Sequence, residues 1–257
     1  MMRVAPEKGN PMKNSLAIVT GTSRGVGQAL VENLTEKGWS VVGAARGPSP
    51  CEHPGYRHYQ VDLADPQALT RWARQELAPI VKQEGVGRVG LVNNAALIGA
   101  LAWLRESEAD FLKTLFAVNV AAPIYLMGWL VRNAPAGADL RIVNISSGAA
   151  HSPLPGLGDY SATKAALRLA GRTLAAELEL EGRRPAQAAV FSYEPGLVDT
   201  HMQDVAREAS PDLFPAHATF MKFAREDLLC APRDVVVPIV EFLMGEPAAA
   251  FTESRFC

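Results

Sequence analysis

The chain has 257 residues, a formal net charge of −2 and 48% hydrophobic residues, a composition typical of one compact α/β domain. This charge leaves no basic surface of the kind that nucleic acid requires, and no apolar run approaches the roughly 20 residues that span a bilayer. We therefore expect neither a nucleic-acid nor a membrane partner.

The first 14 residues, MMRVAPEKGNPMKN, form a polar segment that lacks the apolar core of a signal peptide. We interpret residues 1–14 as a flexible tail, residues 15–257 as a single domain, and the cytoplasm as the location. The three cysteines have no C-x-x-C spacing, which favours reduced thiols, and the five histidines have no ligand spacing. We expect no metal site.

Strand-like and helical segments alternate along the chain, which is the pattern of a parallel sheet covered on both faces. The pattern predicts strands near 15–20, 40–45, 56–61, 89–93, 140–146 and 187–193. It predicts helices near 26–37, 66–83, 107–133, 160–181 and 232–243. Ser107 is the expected N-cap of the third helix, and Gly38 the expected C-terminal cap of the first.

A glycine-rich turn, TGTSRGVG at 20–27, lies between the apolar run LAIV and an amphipathic helix. The glycines permit a tight turn and close backbone approach, and the start of the helix offers unpaired N–H groups to a pyrophosphate. The unit is therefore typical of a dinucleotide site. The spacing differs from G-x-G-x-x-G, and taken alone the string could also be an ordinary glycine loop.

Tyr160 and Lys164 stand four residues apart in a predicted helix, so their side chains share one face. An ammonium beside a phenol favours the ionised phenol, which makes Tyr160 a candidate proton donor. A solvated helix face is the alternative for the isolated pair. Ser147 lies thirteen residues before Tyr160 at the end of RIVNISS, and its neighbour Ser146 is the alternative hydroxyl.

From about Ser15 to the C-terminus the chain resembles the short-chain dehydrogenase/reductase family. The resemblance rests on TGTSRGVG, Asp62-Leu63, Asn93-Asn94-Ala95, Asn119 in FAVNVAAP, Ser147, Tyr160 with Lys164, and PGLVDT at 195–200. The segments VNISSGAA and YEPGLVDTHMQDVAREAS are similar to the sepiapterin reductase and benzil reductase branch. The resemblance implies a Rossmann-like doubly wound parallel sheet flanked by helices, and hydride transfer at a carbonyl.

The family motif implies that Asn119, Ser147, Tyr160 and Lys164 form the catalytic set. In that frame Tyr160 donates a proton to the carbonyl oxygen, and Lys164 lowers the proton affinity of the phenol and holds the ribose hydroxyls. Ser147 hydrogen-bonds the carbonyl. Asn119 holds a water on the proton path, or is instead a buried residue that kinks an apolar helix.

The end of the second strand bears on the choice of cofactor. Ala44-Ala45-Arg46 stands where an acid would bind a ribose 2′-OH. Arg24 and Arg46 suit a 2′-phosphate, so we predict NADP(H), with two solvated arginines as the alternative reading. The implied cofactor contacts are Gly21, Ser23, Arg24, Gly25, Val26, Gly27, Arg46, Asp62, Leu63, Asn93, Ala95, Tyr160, Lys164, Pro195, Gly196, Val198 and Thr200.

Three departures from the family pattern stand out. Only GPSPCEHPG separates Arg46 from Tyr56, so we expect a turn in place of the helix that joins the second and third strands. The last strand, under way at FTESRFC, is expected to be short or cut off. Ala96 replaces a family glycine, which would cost free energy in a left-handed backbone.

The expected substrate pocket is largely apolar, which favours an aryl or alkyl ketone or a diketone. Its predicted lining residues, each of which could equally be a packing residue, are Ala149, His151, Leu154, Leu157, Tyr193, Met202 and Phe214. In sepiapterin reductase an acid near the C-terminus anchors the pterin, and Cys257 stands near that place, which disfavours pterin reduction.

The predicted function is therefore NADPH-dependent reduction of a small carbonyl substrate, with an NADP(H)-sensing regulator of little turnover as the alternative. Segments 107–133 and the helix after Tyr160 carry apolar residues on more than one face. Because family members commonly pair through these helices, we expect a homodimer or homotetramer.

Overall fold

The computed structural model describes residues 14–256, which contain seven β-strands. They are β1 (Asn14–Thr20), β2 (Ser40–Ala45), β3 (Tyr56–Gln60), β4 (Val86–Asn93), β5 (Asp139–Ile145), β6 (Ala188–Glu194) and β7 (Phe251–Arg255). All neighbouring strands are parallel, in the order β3-β2-β1-β4-β5-β6-β7. The predicted fold class and the six predicted strands are confirmed, as is a single domain around one sheet.

The structure bears on the predictions for the two ends of the chain only in part. Most of the predicted tail, residues 1–13, lies outside the described residues, and Asn14 already belongs to β1. The last strand was expected to be short or cut off, and β7 is a short strand of five residues, Phe251 to Arg255, that pair with Val190 to Glu194.

Ten α-helices lie in the described region. They are α1 (Gly25–Glu36), α2 (Pro66–Arg71), α3 (Ala78–Val81), α4 (Ala109–Phe116), α5 (Ala122–Asn133), α6 (Gly158–Leu180), α7 (His201–Glu208), α8 (His217–Arg225), α9 (Pro232–Val235) and α10 (Val237–Met244). π-Helical turns at Trp72–Leu77 and Ala117–Ala121 join α2 to α3 and α4 to α5, so the predicted helices at 66–83 and 107–133 each contain such a turn.

The predicted helix caps have mixed outcomes. Gly38 follows the C-cap Lys37 of α1 and has a φ of 80°, so its predicted capping role is confirmed. Ser107 is not an N-cap, because α4 begins at Ala109 with Glu108 at the cap position. The helices α7 and α8 were not predicted.

Helices pack on both faces of the sheet. On one face, α5 and α6 bury Leu126, Leu130 and Leu167 against β1, β4 and β5. On the other, α1 and α10 bury side chains such as Leu34 and Leu243. Burial of a leucine of this kind contributes about 1.5–3 kcal/mol, so two continuous apolar layers hold the sheet rigid.

The connection between β2 and β3 contains no helix, as predicted, and spans residues 46–55. The two strands are still in parallel register from Val41 opposite Tyr56 to Ala45 opposite Gln60. Prolines in this segment disfavour a helix because they remove backbone donors and fix φ.

The continuous helical segment Ala109–Asn133 has a mean hydropathy of 1.7 and is long and apolar enough to cross a bilayer by those two criteria. The prediction that no apolar run approaches the length that spans a bilayer is therefore wrong. In this structure 44% of the apolar window is buried, and Leu115, Leu126 and Leu130 pack in the interior. Covering a sheet face accounts for much of its apolar character.

The chain reverses direction across the sheet between β1 and β4. It passes from β1 to β2 and β3 on one side, and then returns to β4 on the other side of β1. In open parallel sheets the crevice at the carboxyl ends of the strands beside such a reversal is where ligands bind.

Candidate active site

A cleft of about 920 Å³ opens at the carboxyl ends of the strands. Its lining runs from the residues after β2 and β1, such as Arg46 and Arg24, to the residues after β5 and β6. We call the part lined by residues after β1, β2 and β3 the dinucleotide half, and the part lined by the loop after β5 together with α7 and α8 the carbonyl half.

The glycine turn forms the wall of the dinucleotide half. Gly21 (φ 75°) donates its N–H to the Ala44 carbonyl at 2.7 Å, and Gly25 (φ 58°) opens α1. A Cβ at Gly21 would lie 2.9 Å from Ala95 Cα, so only glycine permits this approach of the turn to the loop after β4. Arg24 makes no side-chain cap, so the first N–H groups of α1 remain for a ligand.

Gly27 and Asn93 are predicted cofactor contacts that do not line the cleft. A Cβ at Gly27 would lie 2.1 Å from the Gly21 carbonyl oxygen, so this glycine allows α1 to pack against the turn. Asn93 is buried and donates its amide to Asn144 Oδ1 at 2.8 Å, linking β4 to β5. We correct both assignments to packing roles.

Asn94 lines the cleft in place of Asn93. Its Nδ2 donates to the carbonyls of Thr20 and Gly21 at 2.8 and 3.1 Å, which fixes the glycine turn to the loop after β4. Ala95 also lines the cleft. Ala96 does not have a positive φ, so the strain expected from the replaced glycine is absent.

Arg24 and Arg46 are exposed, line the cleft, and make no ion pair or side-chain hydrogen bond with any described residue. Ala45 ends β2 beside Arg46, so no acid stands at that strand end. The remaining predicted contacts in this half that line the cleft are Ser23, Val26, Asp62 and Leu63.

The segment after β6 closes the cleft opposite the glycine turn. Pro195, Gly196 (φ 74°), Val198 and Thr200 all line it. A Cβ at Gly25 would lie 3.1 Å from the Thr200 methyl group, so the two walls come close together here.

Tyr160 and Lys164 lie in the first two turns of α6, both buried and both lining the cleft. The Lys164 ammonium donates to the Ile145 carbonyl at 2.7 Å and lies 5.6 Å from the centroid of the Tyr160 ring. A lysine has three N–H donors, so the ammonium can make further bonds into the cleft. Burial lowers the pKa of Lys164 to about 8.

The pKa of Tyr160 is raised to about 12, mainly by burial, while a hydrogen bond with the Ser147 side chain opposes the rise. This direction is opposite to the expectation that Lys164 favours the ionised phenol, because desolvation of the phenolate outweighs the favourable contacts. Tyr160 is therefore a protonated phenol near neutral pH, which suits a proton donor.

Ser147 and Ser146 both line the cleft at the end of β5. Ser147 is the hydroxyl close enough to Tyr160 to lower the pKa of the phenol, and its Oγ accepts the Ala149 N–H at 3.2 Å. Ser146 Oγ is buried and has no partner within the described residues. An unpaired buried hydroxyl in a cleft marks a place where a ligand atom can complete its hydrogen bonding.

Asn119 lies beneath the cleft, in the π-helical turn Ala117–Ala121, rather than on its surface. Its Oδ1 accepts the Leu97 N–H at 2.8 Å, and its Nδ2 donates to the Leu97 carbonyl and to Thr163 Oγ1 at 2.9 and 3.1 Å. Its amide hydrogens are thus occupied by the protein. The geometry favours the structural reading of its side chain over direct contact with a proton path.

The carbonyl half contains four of the seven predicted pocket residues: Ala149, Leu154, Leu157 and Met202. His151, Tyr193 and Phe214 do not line it, and we correct these three predictions. His151 points to Glu194 at 3.0 Å, the Tyr193 hydroxyl donates to the Val235 carbonyl at 2.7 Å, and Phe214 is fully buried against Phe220.

The structure adds lining residues that were not predicted: Leu97, Ile98, Phe111, Val118, Ser152, Gln203, Val205, Thr219, Phe220, Phe223 and Arg255. Most are apolar. Gln203 is 8% exposed, and its buried Oε1 accepts no hydrogen bond from residues 14–256. Gln203 was not predicted, although it lies in the segment YEPGLVDTHMQDVAREAS that carries the branch resemblance, whereas Phe220 and Phe223 lie on the unpredicted helix α8.

These residues fit a nicotinamide dinucleotide. The glycine turn permits close approach, the start of α1 offers N–H groups, and Ser146 and Lys164 offer polar groups between the two halves. Among residues 14–256, no three His, Cys, Asp or Glu side chains cluster as metal ligands.

The short chain dehydrogenase family model matches residues 15–211, which includes the glycine turn, Ser147, Tyr160 and Lys164. The chain belongs to this family. The match confirms the resemblance drawn from the motifs, and it makes the protein an oxidoreductase of a family that uses nicotinamide cofactors.

Similar proteins also support the resemblance to the sepiapterin reductase and benzil reductase branch of the family. The chain is 29% identical to benzil reductase ((S)-benzoin forming) of Bacillus cereus over 89% of this chain and 94% of that one. It is 31% identical to sepiapterin reductase of Bos taurus over 77% and 78%. A short-chain dehydrogenase/reductase structure from Burkholderia vietnamiensis matches with a TM-score of 0.65 and 30% identity, over 80% of this chain and 94% of that one.

Proposed function

We propose that this short-chain dehydrogenase reduces a ketone or diketone carbonyl of a small, largely apolar substrate with NADPH. One observation carries the proposal. A buried, protonated Tyr160, with the Ser147 hydroxyl beside it, faces the apolar half of a cleft whose other half suits a dinucleotide. The cleft thus has a place for a carbonyl at the junction of its two halves.

Each residue near the carbonyl has a separate role in the proposed reduction. NADPH supplies a hydride when it is bound. Ser147 and Tyr160 present two hydroxyls to the substrate carbonyl oxygen, and Tyr160 Oη gives up its proton to that oxygen as negative charge develops there. Lys164 is held by Ile145 at 2.7 Å, which fixes its charge near the phenol and leaves donors for ribose hydroxyls.

The preference for NADPH rests on the two free guanidinium groups of Arg24 and Arg46. Both line the dinucleotide half, and no acid stands at the end of β2 to favour a ribose 2′-OH. Guanidinium forks bind phosphate with charge-assisted hydrogen bonds, so the site favours a 2′-phosphate.

A diketone or aryl ketone fits the carbonyl half better than a pterin. Its walls include Leu154, Met202, Phe220 and Phe223, while Gln203 offers one unpaired amide oxygen. Benzil reductase is among the similar proteins. Cys257, which stands near the position of the acid that would bind a pterin, lies outside the described residues.

We propose further that the protein is cytoplasmic and forms a homodimer or homotetramer. Phe116, Ile124 and Leu169 on the helices from α4 to α6 are 38, 45 and 64% exposed. Apolar side chains so exposed on neighbouring helices favour a contact between copies. A monomeric mass in solution at micromolar concentration would contradict this assembly.

The experiment that tests the proposal measures consumption of NADPH and of NADH by the purified protein. The substrates are benzil, 1-phenyl-1,2-propanedione, acetophenone and sepiapterin. We expect turnover with the diketones, preference for NADPH, and little reduction of sepiapterin. Tight NADPH binding without turnover of any carbonyl would favour the sensing regulator instead.

A further inference from the structure

A buried carboxylate next to the proton donor has no part in the chemistry described above. Asp159 precedes Tyr160, is 6% exposed, and makes no ion pair with any described residue. Its Oδ1 accepts the backbone N–H of Tyr160 at 2.7 Å, and its Oδ2 accepts the backbone N–H of Ala100 at 3.0 Å. A buried charge of this kind must be compensated, and here the N–H of Tyr160 in the first turn of α6 and the N–H of Ala100 in a loop compensate it.

Ala100 belongs to the loop after β4, which lines the cleft from Asn94 to Gly99. The backbone of this loop is constrained: Gly99 has a φ of 100° and the buried Leu101 a φ of 53°. A left-handed leucine costs about 1–2 kcal/mol, so surrounding contacts must hold it in place. The Asp159 carboxylate is such a contact.

The loop also lies directly on the carboxylate. A Cβ at Gly99 would be 2.5 Å from Asp159 Oδ1 and 3.1 Å from Oδ2. Any side chain at this position would therefore push the loop away from α6. Glycine at 99 and aspartate at 159 form a matched pair in this fold.

A second connection joins the same loop to the same turn of α6. Asn119 binds both backbone groups of Leu97 and donates to Thr163 Oγ1, and Thr163 Oγ1 donates to the Tyr160 carbonyl at 2.7 Å. Asp159 thus links the loop to the backbone N–H of Tyr160. Asn119 and Thr163 link the loop to the backbone carbonyl of Tyr160. Two sets of hydrogen bonds therefore connect the loop wall to the backbone of the proton donor.

We infer that Asp159 is a positioning residue that sets the gap between the Tyr160 phenol and the loop wall formed by Leu97, Ile98 and Gly99. It touches neither substrate nor cofactor in this role. It fixes which carbonyl substituents fit between the wall and the phenol. For turnover the inference rests on the proposed function, whereas the loop geometry is independent of it.

The chemistry of the side chain explains why aspartate serves here. Both of its oxygens accept, one from each N–H. Asparagine has the same shape but only one acceptor oxygen, so its amide NH₂ would face one of the two N–H groups. Asp159→Asn therefore removes one bond and adds a donor–donor contact without changing volume.

The matched control is Asp65→Asn. Asp65 Oδ1 accepts the Gln67 N–H at 2.8 Å at the start of α2, outside the residues that line the cleft. Both substitutions remove a carboxylate from a helix start, but only Asp159 reaches the loop. Asparagine caps a helix about as well as aspartate, so Asp65→Asn should keep its bond to the Gln67 N–H and leave the loop unchanged.

Three measurements on Asp159→Asn separate positioning from a merely structural role. We expect the Ala100 amide to exchange with deuterium about tenfold faster or more. We expect kcat with benzil to fall about tenfold and the preference between benzil and the smaller 2,3-butanedione to shift by a similar factor, because displaced walls disturb a fitted substrate. NADPH affinity should stay within about twofold, since Asp159 is not among the residues that line the cleft.

Gly99→Ala tests the same contact from the other side and leaves Asp159 in place. It should produce the same shift in substrate preference, and the double variant with Asp159→Asn should show much less than the product of the two single effects. If Asp159→Asn fails to fold, the Gly99→Ala variant decides the inference through the same exchange and preference measurements.

Unchanged Ala100 exchange and unchanged substrate preference in the folded variants, or the same changes in Asp65→Asn, would overturn the inference. If the wild-type protein reduces no carbonyl, the proposed function fails. The exchange comparison, which needs no substrate, would still decide whether the Asp159 contact holds the loop.

Discussion

The two halves of the cleft are built from different parts of the chain. In the dinucleotide half, backbone groups form the surface: glycines at 21 and 25 with positive φ, and the first N–H groups of α1. In the carbonyl half, side chains form it, and they come from the loop after β5 and from α7 and α8. The first half depends on local spacing, whereas the second depends on how distant segments pack.

This difference predicts which substitutions separate binding from turnover. Changes in the dinucleotide half should act on cofactor affinity alone, and changes in the carbonyl half on substrate choice alone. Lys164 and Tyr160 lie between the two halves, so substitutions at these residues test whether cofactor affinity and turnover can be changed separately.

The largest effect is expected for Lys164→Met, which should damage both halves at once. Turnover should fall about 10²–10⁴-fold because the charge that supports the proton donor is lost. NADPH affinity should fall about tenfold or more, because hydrogen bonds to a charged group are lost. Kinetics and a fluorescence titration measure the two effects, with the exposed Lys82→Met as control. Loss of turnover with full affinity would remove Lys164 from the cofactor site.

Arg46→Asp should act on the dinucleotide half alone. Losing one charge-assisted contact to a 2′-phosphate costs about 1.5–3 kcal/mol, or roughly 10- to 100-fold in NADPH affinity. NADH affinity should change little. The control is Arg74→Asp, an exposed arginine without a partner in the described structure and outside the cleft lining. An unchanged ratio of NADPH to NADH affinity would contradict the cofactor assignment.

The pH profile of reduction should report Lys164. Burial lowers its pKa to about 8, so the ammonium loses its proton as pH rises through that value, while the phenol with a pKa of about 12 stays protonated. We expect kcat/KM to be level below about pH 8 and to fall about tenfold per pH unit above it. A profile that stays level to about pH 10 would show that the charge of Lys164 is not needed.

Gln203→Leu should give the smallest effect, confined to the carbonyl half. Its buried Oε1 is free to accept a hydrogen bond from a substrate. Reduction of 4-hydroxyacetophenone should fall about 5- to 30-fold relative to 4-methylacetophenone. NADPH affinity should not change, and the exposed Gln75→Leu serves as control. Equal effects on both ketones would mean that the amide contacts no substrate.

The same contrast explains what the sequence could predict. The glycine turn and the pair Tyr160 and Lys164 depend on spacing within one or two elements, so their positions in the cleft follow from local geometry. The strands depend on apolar runs bounded by turns, and six of them were placed from that pattern. The sequence left two roles open for Asn119, because its hydrogen-bond partner Leu97 is 22 residues away in the chain.

The carbonyl half could not be predicted in the same way. Tyr193 lies near the site in the chain, but alternate residues of a strand face opposite sides, and its ring belongs to the apolar cluster on the other face of the sheet, beside Phe191. His151 does not line the cleft, and its Nε2 lies 3.0 Å from Glu194 Oε1. Helix α8 follows a segment rich in turn residues, and its Phe220 and Phe223 line the cleft. Their position depends on how α8 packs on the rest of the domain, which spacing along the chain does not show.

Tyr160→Phe tests the central claim most directly, because it removes one oxygen and keeps the buried ring. NADPH affinity should be retained, and diketone reduction should fall about 10²–10⁴-fold, the usual contribution of a positioned general acid. Tyr193→Phe is the matched control: it breaks the bond to the Val235 carbonyl, and should cost about 1–3 kcal/mol of stability while turnover is retained. Substantial diketone reduction by Tyr160→Phe would contradict the account.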